Sequence, residues 1–444
     1  MHLPTSPASS DSSASSNSSA SPASSALLRN KRFRTLLLAS LISASGSAMA
    51  PVALAFTVLG FDSRPGSLAI VLAGSAVPQL LLLLVGGVAA DRFSRRRLIV
   101  FGNVVPALTQ GTVALLVFWG AATTTRVAVF AAVASGASAL ASPAMNSLLP
   151  QFVEADRLQE ANALLRLPTN LVRILAPALG GVLVALVGPQ LTLAWDAASF
   201  AVAALLYGRL SIAGPVAARG SVLRDFRTGW DEFRGRFWLW SYTLSGTFVV
   251  ACWLGGYALL GPVIAHDSDL GAAGWGTVQG SFAVGLVLGG VLSLRWKPSR
   301  IMIACVAANL PLALPLLALA AGAPLSVLAV SAALAGVGVD IAIVCWNTVM
   351  QQQLPSELLG RLGSFSSIGE QLAVPLGYLL VGAAATSWGA APVLWAAAAA
   401  MTLATVVLFA APSLWALRRT PAAERSAALG DVREDVRGES AAPS

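Results

Sequence analysis

Twelve stretches of this 444-residue chain are each long and apolar enough to cross a lipid bilayer, and this narrows the available folds more than any other feature. A membrane-spanning helix needs roughly 20 mostly apolar residues, because the hydrocarbon core is about 30 Å thick and each helical residue rises about 1.5 Å. Breaking the chain at charges, Gly/Pro turns and polar clusters places the spans at 34–60, 67–90, 97–120, 124–149, 163–187, 190–209, 238–264, 273–294, 300–320, 323–350, 364–388 and 391–415. In lipid every backbone N–H and C=O needs an internal partner, so spans of this length are helices and the predicted class is an all-α integral membrane protein. Composition agrees: 11% of residues are charged, against about 25% in soluble domains.

The spans form two blocks of six. Between them, Ser211 to Arg236 carries Arg219, Arg224, Arg227, Arg234 and Arg236 with Asp225, Asp231 and Glu232, and it is the only long internal stretch too charged to enter a bilayer. The predicted layout is therefore a tail over 1–29, a six-helix bundle over 30–210, a linker over 211–236, a second six-helix bundle over 237–415 and a tail over 416–444. Both tails are rich in Ser, Ala and charged residues with little to bury, and are expected to be disordered. The first has neither a basic n-region nor an apolar h-region, so it does not read as a signal peptide. Of the 28 Lys and Arg, only Arg64 and Arg126 fall on one side, and Arg173 sits within a span. Excess Lys and Arg mark the cytoplasmic side, which predicts that both termini and the linker lie in the cytoplasm.

Two internal echoes support a duplicated six-helix unit. "GGVAADRFSRRRLIV" at 86 matches "GGVLSLRWKPSRIMI" at 289, pairing Arg92 with Arg295, Phe93 with Trp296 and Arg97 with Arg300, while Leu294 replaces Asp91. "LAPALGGVLV", Leu175 to Val184, matches "LAVPLGYLLV", Leu372 to Val381. A duplicated membrane bundle is a common basis of alternating-access transport.

Other function classes are disfavoured. The net charge of +8 lies in short clusters between apolar runs, which suits membrane topology better than nucleic acid. Cys252, Cys305 and Cys345 lie inside apolar runs without metal or redox spacing. There is no G-x-x-x-x-G-K-[ST] phosphate loop, and His2 and His266 join no nucleophile, so neither ATP use, nor a cofactor, nor a metal, nor an enzyme is expected.

The loop after span two, with Gly87, Asp91, Arg92, Arg95 and Arg96, resembles the signature loop of the major facilitator superfamily, except that Ser94 replaces a glycine. Ala176, Pro177, Gly180 and Gly181 in span five resemble the antiporter motif of that superfamily's exporters, with Ala176 for a glycine and Val172 where an upstream glycine belongs. The segment from Asn146 to Gly181 with the following "WDAASF" is similar to the subgroup of enterobactin exporters and macrolide-efflux-like proteins. The resemblance implies two pseudo-symmetric six-helix bundles that rock about a midplane site. It also implies a latch in which Asp91 meets the start of span eleven, near Gly363, where free N–H groups favour an anion.

Four ionisable residues fall within spans: Arg173, Asp196, Asp340 and Glu370. Such residues usually face a cavity or a partner and are functional candidates by default. Asp340 ranks first for proton coupling, because span ten lines the central cavity in the family and a partly desolvated carboxyl can exchange a proton near neutral pH. Glu370 ranks second; the second echo aligns it with Arg173. Asp196, on a peripheral span, is expected to bond a neighbouring helix or reach the interface. The predicted cavity wall draws on Ser43, Ser45, Met49, Ser142, Met145, Asn146, Trp253, Tyr257, Trp346 and Asn347, whose aromatic, methionine and amide groups suit an amphiphilic molecule. The expected function is secondary efflux of an amphiphilic small molecule such as a drug, siderophore or other secondary metabolite, exchanged for protons by a monomer in the bilayer. An importer of the same superfamily, or a non-transporting receptor or assembly factor on the same fold, is the alternative.

Overall fold

The computed structural model describes residues 27–211 and 230–417, giving the backbone alone for 83–92, 155, 356, 357, 360 and 361. Residues 1–26 and 418–444 of the predicted tails and 212–229 of the predicted linker therefore lie outside the described residues. Twelve helices are long and apolar enough to cross a membrane. They are α1 Lys31–Leu59, α2 Pro65–Arg92, α3 Arg95–Phe118, α4 Thr124–Asn146, α5 Leu158–Val187, α6 Pro189–Gly208, α7 Phe237–Asp267, α8 Gly271–Arg295, α9 Ile301–Ala320, α10 Leu325–Gln353, α11 Ser356–Trp388 and α12 Ala390–Leu408.

Helix ends depart from the apolar windows where local chemistry overrides hydropathy. Asn30 caps α1 by accepting from the Arg32 and Phe33 amides at 3.0 and 3.4 Å, so the helix begins before its apolar run. α5 and α11 each start several residues earlier than expected, at Leu158 and Ser356, because a polar helical face continues toward the termini side. α12 stops at Leu408; Ala411, which precedes Pro412, is extended, as a residue before proline prefers. α7 is α-helical to Trp253, π-helical over Leu254–Leu259 and α-helical again to Asp267, and α9 contains a 3-10 turn at Leu310–Leu312.

The packing repeats six helices later. α1 packs on α5 and α6, α2 on α4, and α3 on α4 and α6; in the second half α7 packs on α11 and α12, α8 on α10, and α9 on α10 and α12. Even the turns match: Gly188 and Gly389 join α5 to α6 and α11 to α12, with φ of +83° and +85°, a left-handed region that favours glycine. Many large apolar side chains, Phe118, Leu186 and Leu380 among them, stay exposed, as expected where the solvent is lipid.

The two halves meet chiefly through α5 against α8 and α2 against α11, which are equivalent pairs under the pseudo-twofold relation. Their contacts lie at the end of the bundle away from the termini. There Gly181 lies against Gly276, Gly66 N–H donates to Thr386 Oγ1 at 3.1 Å, and the Phe56 and His266 rings stand 6.4 Å apart. Arg64, one of the few basic residues on this far face, is paired with Asp62 at 2.8 Å. That guanidinium holds the Asp62 carboxyl well below the usual carboxylate range.

A Cβ placed at Gly181 would lie 2.5 Å from Gly276 Cα, a backbone atom that a rotamer change cannot move aside. Gly181→Val is therefore expected to wedge α5 from α8 and speed maleimide labelling of a cysteine introduced at Ala178. Cys252, Cys305 and Cys345 are buried and should give little background. Unchanged labelling from the far side would contradict a tight seam there.

Candidate substrate cavity and intramembrane charges

A cavity of about 600 Å³ opens among α1, α4, α5 and α6. Its wall uses the first half of α1, the end of α4, the first half of α5 and the end of α6, all on the termini side. The halves are thus in contact at the far end while the cavity opens at the near end.

Helical spacing builds the wall. Ser40, Ser43 and Ser47 recur at intervals of three and four along α1, and Asn162, Arg166, Thr169, Asn170 and Arg173 do so along α5, which puts each set on one face. Several of these groups are satisfied within their own helices: Ser47 Oγ donates to Ser43 O at 2.8 Å, Asn162 Nδ2 to Leu158 O at 2.9 Å and Thr169 Oγ1 to Leu165 O at 2.7 Å. Ser40 Oγ and Tyr207 OH are 3.1 Å apart across the α1–α6 crossing. Further along α5, Pro177 has no N–H, so the Arg173 carbonyl lacks its normal helical donor.

Of the residues expected on the wall, the structure places Ser43, Met145 and Asn146 there. Met49 is instead buried against Gly180, whose added Cβ would lie 3.2 Å from Met49 Cα. Trp253 and Tyr257 stack on one another at 4.3 Å, and Tyr257 is buried between Trp275 and Phe282 around the π-helical segment. Trp346 stacks on Tyr242 at 4.5 Å, while its neighbour Asn347 is exposed. Among these wall candidates, aromatic and methionine side chains alternate between core and cavity without a difference in spacing, so only packing separates the two. The polar α5 face over 162–170 was not among the expected wall residues. Its signal is the three-and-four spacing of polar residues, which becomes visible once the helix is started at Leu158 rather than at 163.

The intramembrane charges take four different places. Asp196 is 0% exposed, accepts from Gln110 Nε2 at 3.0 Å and leaves Oδ1 without a hydrogen-bond partner among the described residues. It lies under Gly46 of α1: a Cβ there would be 2.6 Å from Oδ1 and 2.2 Å from Ser199 Oγ. Bonding to a neighbouring helix therefore describes Asp196, and reaching the interface does not. Asp340 lies at the α8–α10 seam, its Cβ 2.9 Å from the position of a Cβ on Gly289, with Oδ2 unpartnered. It is absent from the wall of the α1–α4–α5–α6 cavity, although the sequence suggests a cavity position for it. Glu370 is exposed on α11, next to Gly369, which packs on Thr247 of α7. Arg173 lines the cavity, and no ion pair joins it to Glu370 among the described residues.

In the signature loop, Arg96 donates to the Gly208 carbonyl and ties the start of α3 to the end of α6. Arg95 is part-exposed at the first position of α3. The side chains of Gly87, Asp91 and Arg92 lie outside the described residues. Gly363 lies about two turns inside α11, so the free N–H groups expected there belong instead to the helix start at Ser356. Ala176 is buried, Gly180 meets α1 and Gly181 meets α8, so the span-five motif holds both an intra-half and an inter-half crossing.

The family described as "Transmembrane secretion effector" matches residues 22–429. The chain is 28% identical over 416 residues to "Multidrug efflux pump Tap" of Mycobacterium tuberculosis (strain ATCC 25618 / H37Rv), covering 90% of this chain and 97% of that protein. It is 26% identical over 395 residues to the protein of the same name in Mycolicibacterium fortuitum, covering 85% and 95%. Among solved structures, a bacterial homologue of the iron transporter ferroportin in an inward-facing state aligns with a TM-score of 0.67 at 20% identity, over 85% of this chain and 98% of that one. The nucleoside transporter NupG aligns with a TM-score of 0.67 at 13% identity, over 86% and 98%.

The Asp196 site can be probed by stability. Gly46→Ala forces a Cβ onto Ser199 and Asp196 and is expected to cost about 1–3 kcal/mol by overpacking. Asp196→Asn preserves size and an acceptor for Gln110, and is expected to cost less. Thermal melts of the purified protein that rank these two variants the other way would contradict the described packing.

Proposed function

This chain belongs to the transmembrane secretion effector family of the major facilitator superfamily, a family of membrane transporters, and from that premise we propose that it exports small amphiphilic molecules in exchange for protons. The observation that carries the proposal is the cavity of about 600 Å³, reached from the termini side while the far side is closed by α5 on α8 and α2 on α11. The concentration of Lys and Arg around the termini supports a cytoplasmic placement of that side, and the bacterial origin of the relatives supports an inner membrane. In an exporter this is the geometry that loads cargo. The names of the mycobacterial relatives support the same direction.

Transport follows from rocking the bundles 30–210 and 237–415, joined by the linker 211–236. Opening the glycine seam at Gly181 and Gly276 releases cargo outward, while the termini-side ends of the halves close over the emptied cavity. Asp91, in the last turn of α2, latches that closed side against the start of α11. Asp340, with one carboxylate oxygen unpartnered, and Glu370, exposed on the second half, are the groups assigned to proton exchange. Their neutralisation by protons from outside favours the return to the loading state. The monomer is the working unit, since the two bundles that rock against one another lie in one chain.

Liposomes with an acidic lumen reproduce the outside of the cell for molecules inserted with their termini outward. They are expected to accumulate a fluorescent amphiphile only while the gradient lasts. Asp340→Asn should abolish this accumulation yet preserve exchange of the amphiphile across membranes without a gradient. Asp91→Asn should slow both processes with the protein still inserted. Equal uptake with and without the gradient would remove proton coupling; absence of exchange by the unmodified chain would remove transport itself.

A further inference from the structure

Two arginines on the cavity wall lack an anionic partner. Arg166 and Arg173 are two helical turns apart on one face of α5, both exposed to the cavity, and neither makes an ion pair among the described residues. Arg173 lies near the middle of the 30-residue α5, at a depth where arginine is costly and is normally paired or in contact with a polar ligand. Among the described residues, no acidic side chain lines the cavity. Glu370, which occupies the equivalent position in the other half, is not on this wall.

The surrounding polar groups point the same way. Asn146 and Asn170 add amide groups beside the two guanidinium forks. Guanidinium groups match carboxylate and phosphate oxygens two at a time, and low-dielectric walls strengthen the attraction. Leu36, Leu149 and Leu165 supply an apolar side to the same space. A volume of about 600 Å³ is within the roughly 300–1,000 Å³ usual for small-molecule sites.

We infer that the cargo site takes an anionic amphiphile, a carboxylate or phosphate carried on an apolar body, with Arg166 and Arg173 holding the anion and the leucines its body. This rests on the transport reading and adds the charge of the cargo. Arg173, deeper in the membrane, binds the anion at the end of its path into the cavity, and Arg166, closer to the mouth, attracts it on entry. The same chemistry is offered by a soluble metabolite and by the headgroup of an anionic lipid.

The test uses three probes with one apolar body: 1-pyrenebutyrate, 1-pyrenebutanol and 4-(1-pyrenyl)butylamine. Their binding to the full-length protein in phosphatidylcholine nanodiscs is measured against empty discs. The butyrate is expected to bind roughly tenfold more tightly than the alcohol or the amine, a preference that a charge-assisted fork supplies. Arg173→Gln and Arg166→Gln should each weaken butyrate binding alone, the double variant should erase the preference, and Arg173→Lys should restore part of it. Adding phosphatidylglycerol to the discs separates the two sources: competition assigns the anion to a lipid headgroup, and undiminished butyrate binding assigns it to a soluble cargo. Equal affinity for all three probes, or full butyrate binding by a double variant that melts like the parent, would overturn the anionic assignment. In that case, proton-driven uptake of another amphiphile by the same preparation would leave the transport reading standing, whereas a failure of all exchange would end that reading as well.

Discussion

Water is missing from the hydrocarbon core, and the architecture follows from that absence. A backbone that cannot bond to solvent must bond to itself, so each crossing is a helix. Helices in lipid gain little from burying apolar surface against one another, because lipid tails are equally apolar. What brings them together is close packing, and close packing needs small residues. Gly46 at the α1–α6 crossing, Gly181 and Gly276 at α5–α8, and Gly377 against Ala251 at α7–α11 all remove side-chain bulk where backbones approach.

The same economy makes the inter-half seam suitable for movement. Where Gly181 meets Gly276 the seam is backbone against backbone, and its described polar contacts include Gly66 to Thr386. The intra-half crossings are different. The Asp196, Gln110 and Ser199 group buries polar atoms within the first bundle, and stacked aromatics around Tyr257 and Trp346 fill the second. Each half is therefore suited to move as a body while the interface between halves opens. Duplication explains why equivalent helix pairs form both sides of that interface. Divergence after duplication makes the two halves chemically unlike despite a shared backbone plan: Arg173 and Glu370 occupy equivalent positions with opposite charge, and of the two only Arg173 lines the described cavity.

The intramembrane charges show how far a linear reading reaches. All four were visible as charges inside apolar runs, but their surroundings were not. Asp196 bonds a neighbouring helix, as the sequence suggests, but its full burial beneath Gly46 is a matter of packing; Asp340, expected on the cavity wall, lies at the α8–α10 seam. Helix ends show the same limit in milder form. Hydropathy marks where lipid ends, whereas Asn30, Pro412 and the polar faces of α5 and α11 determine where helices end.

The number of crossings, their division into two blocks of six, and the loop and span-five motifs were all determined by the amino-acid sequence, because length, hydropathy and local residue order are one-dimensional quantities. Which side chains face the cavity was decided only by the tertiary structure. A soluble helix reveals its buried face by alternating apolar and polar residues, but a helix between lipid and protein is apolar on both. Trp253, Tyr257 and Met49 consequently looked like wall residues and are packed inside, whereas Arg166 and Asn170 acquired their position from the crossing of α5 with its neighbours.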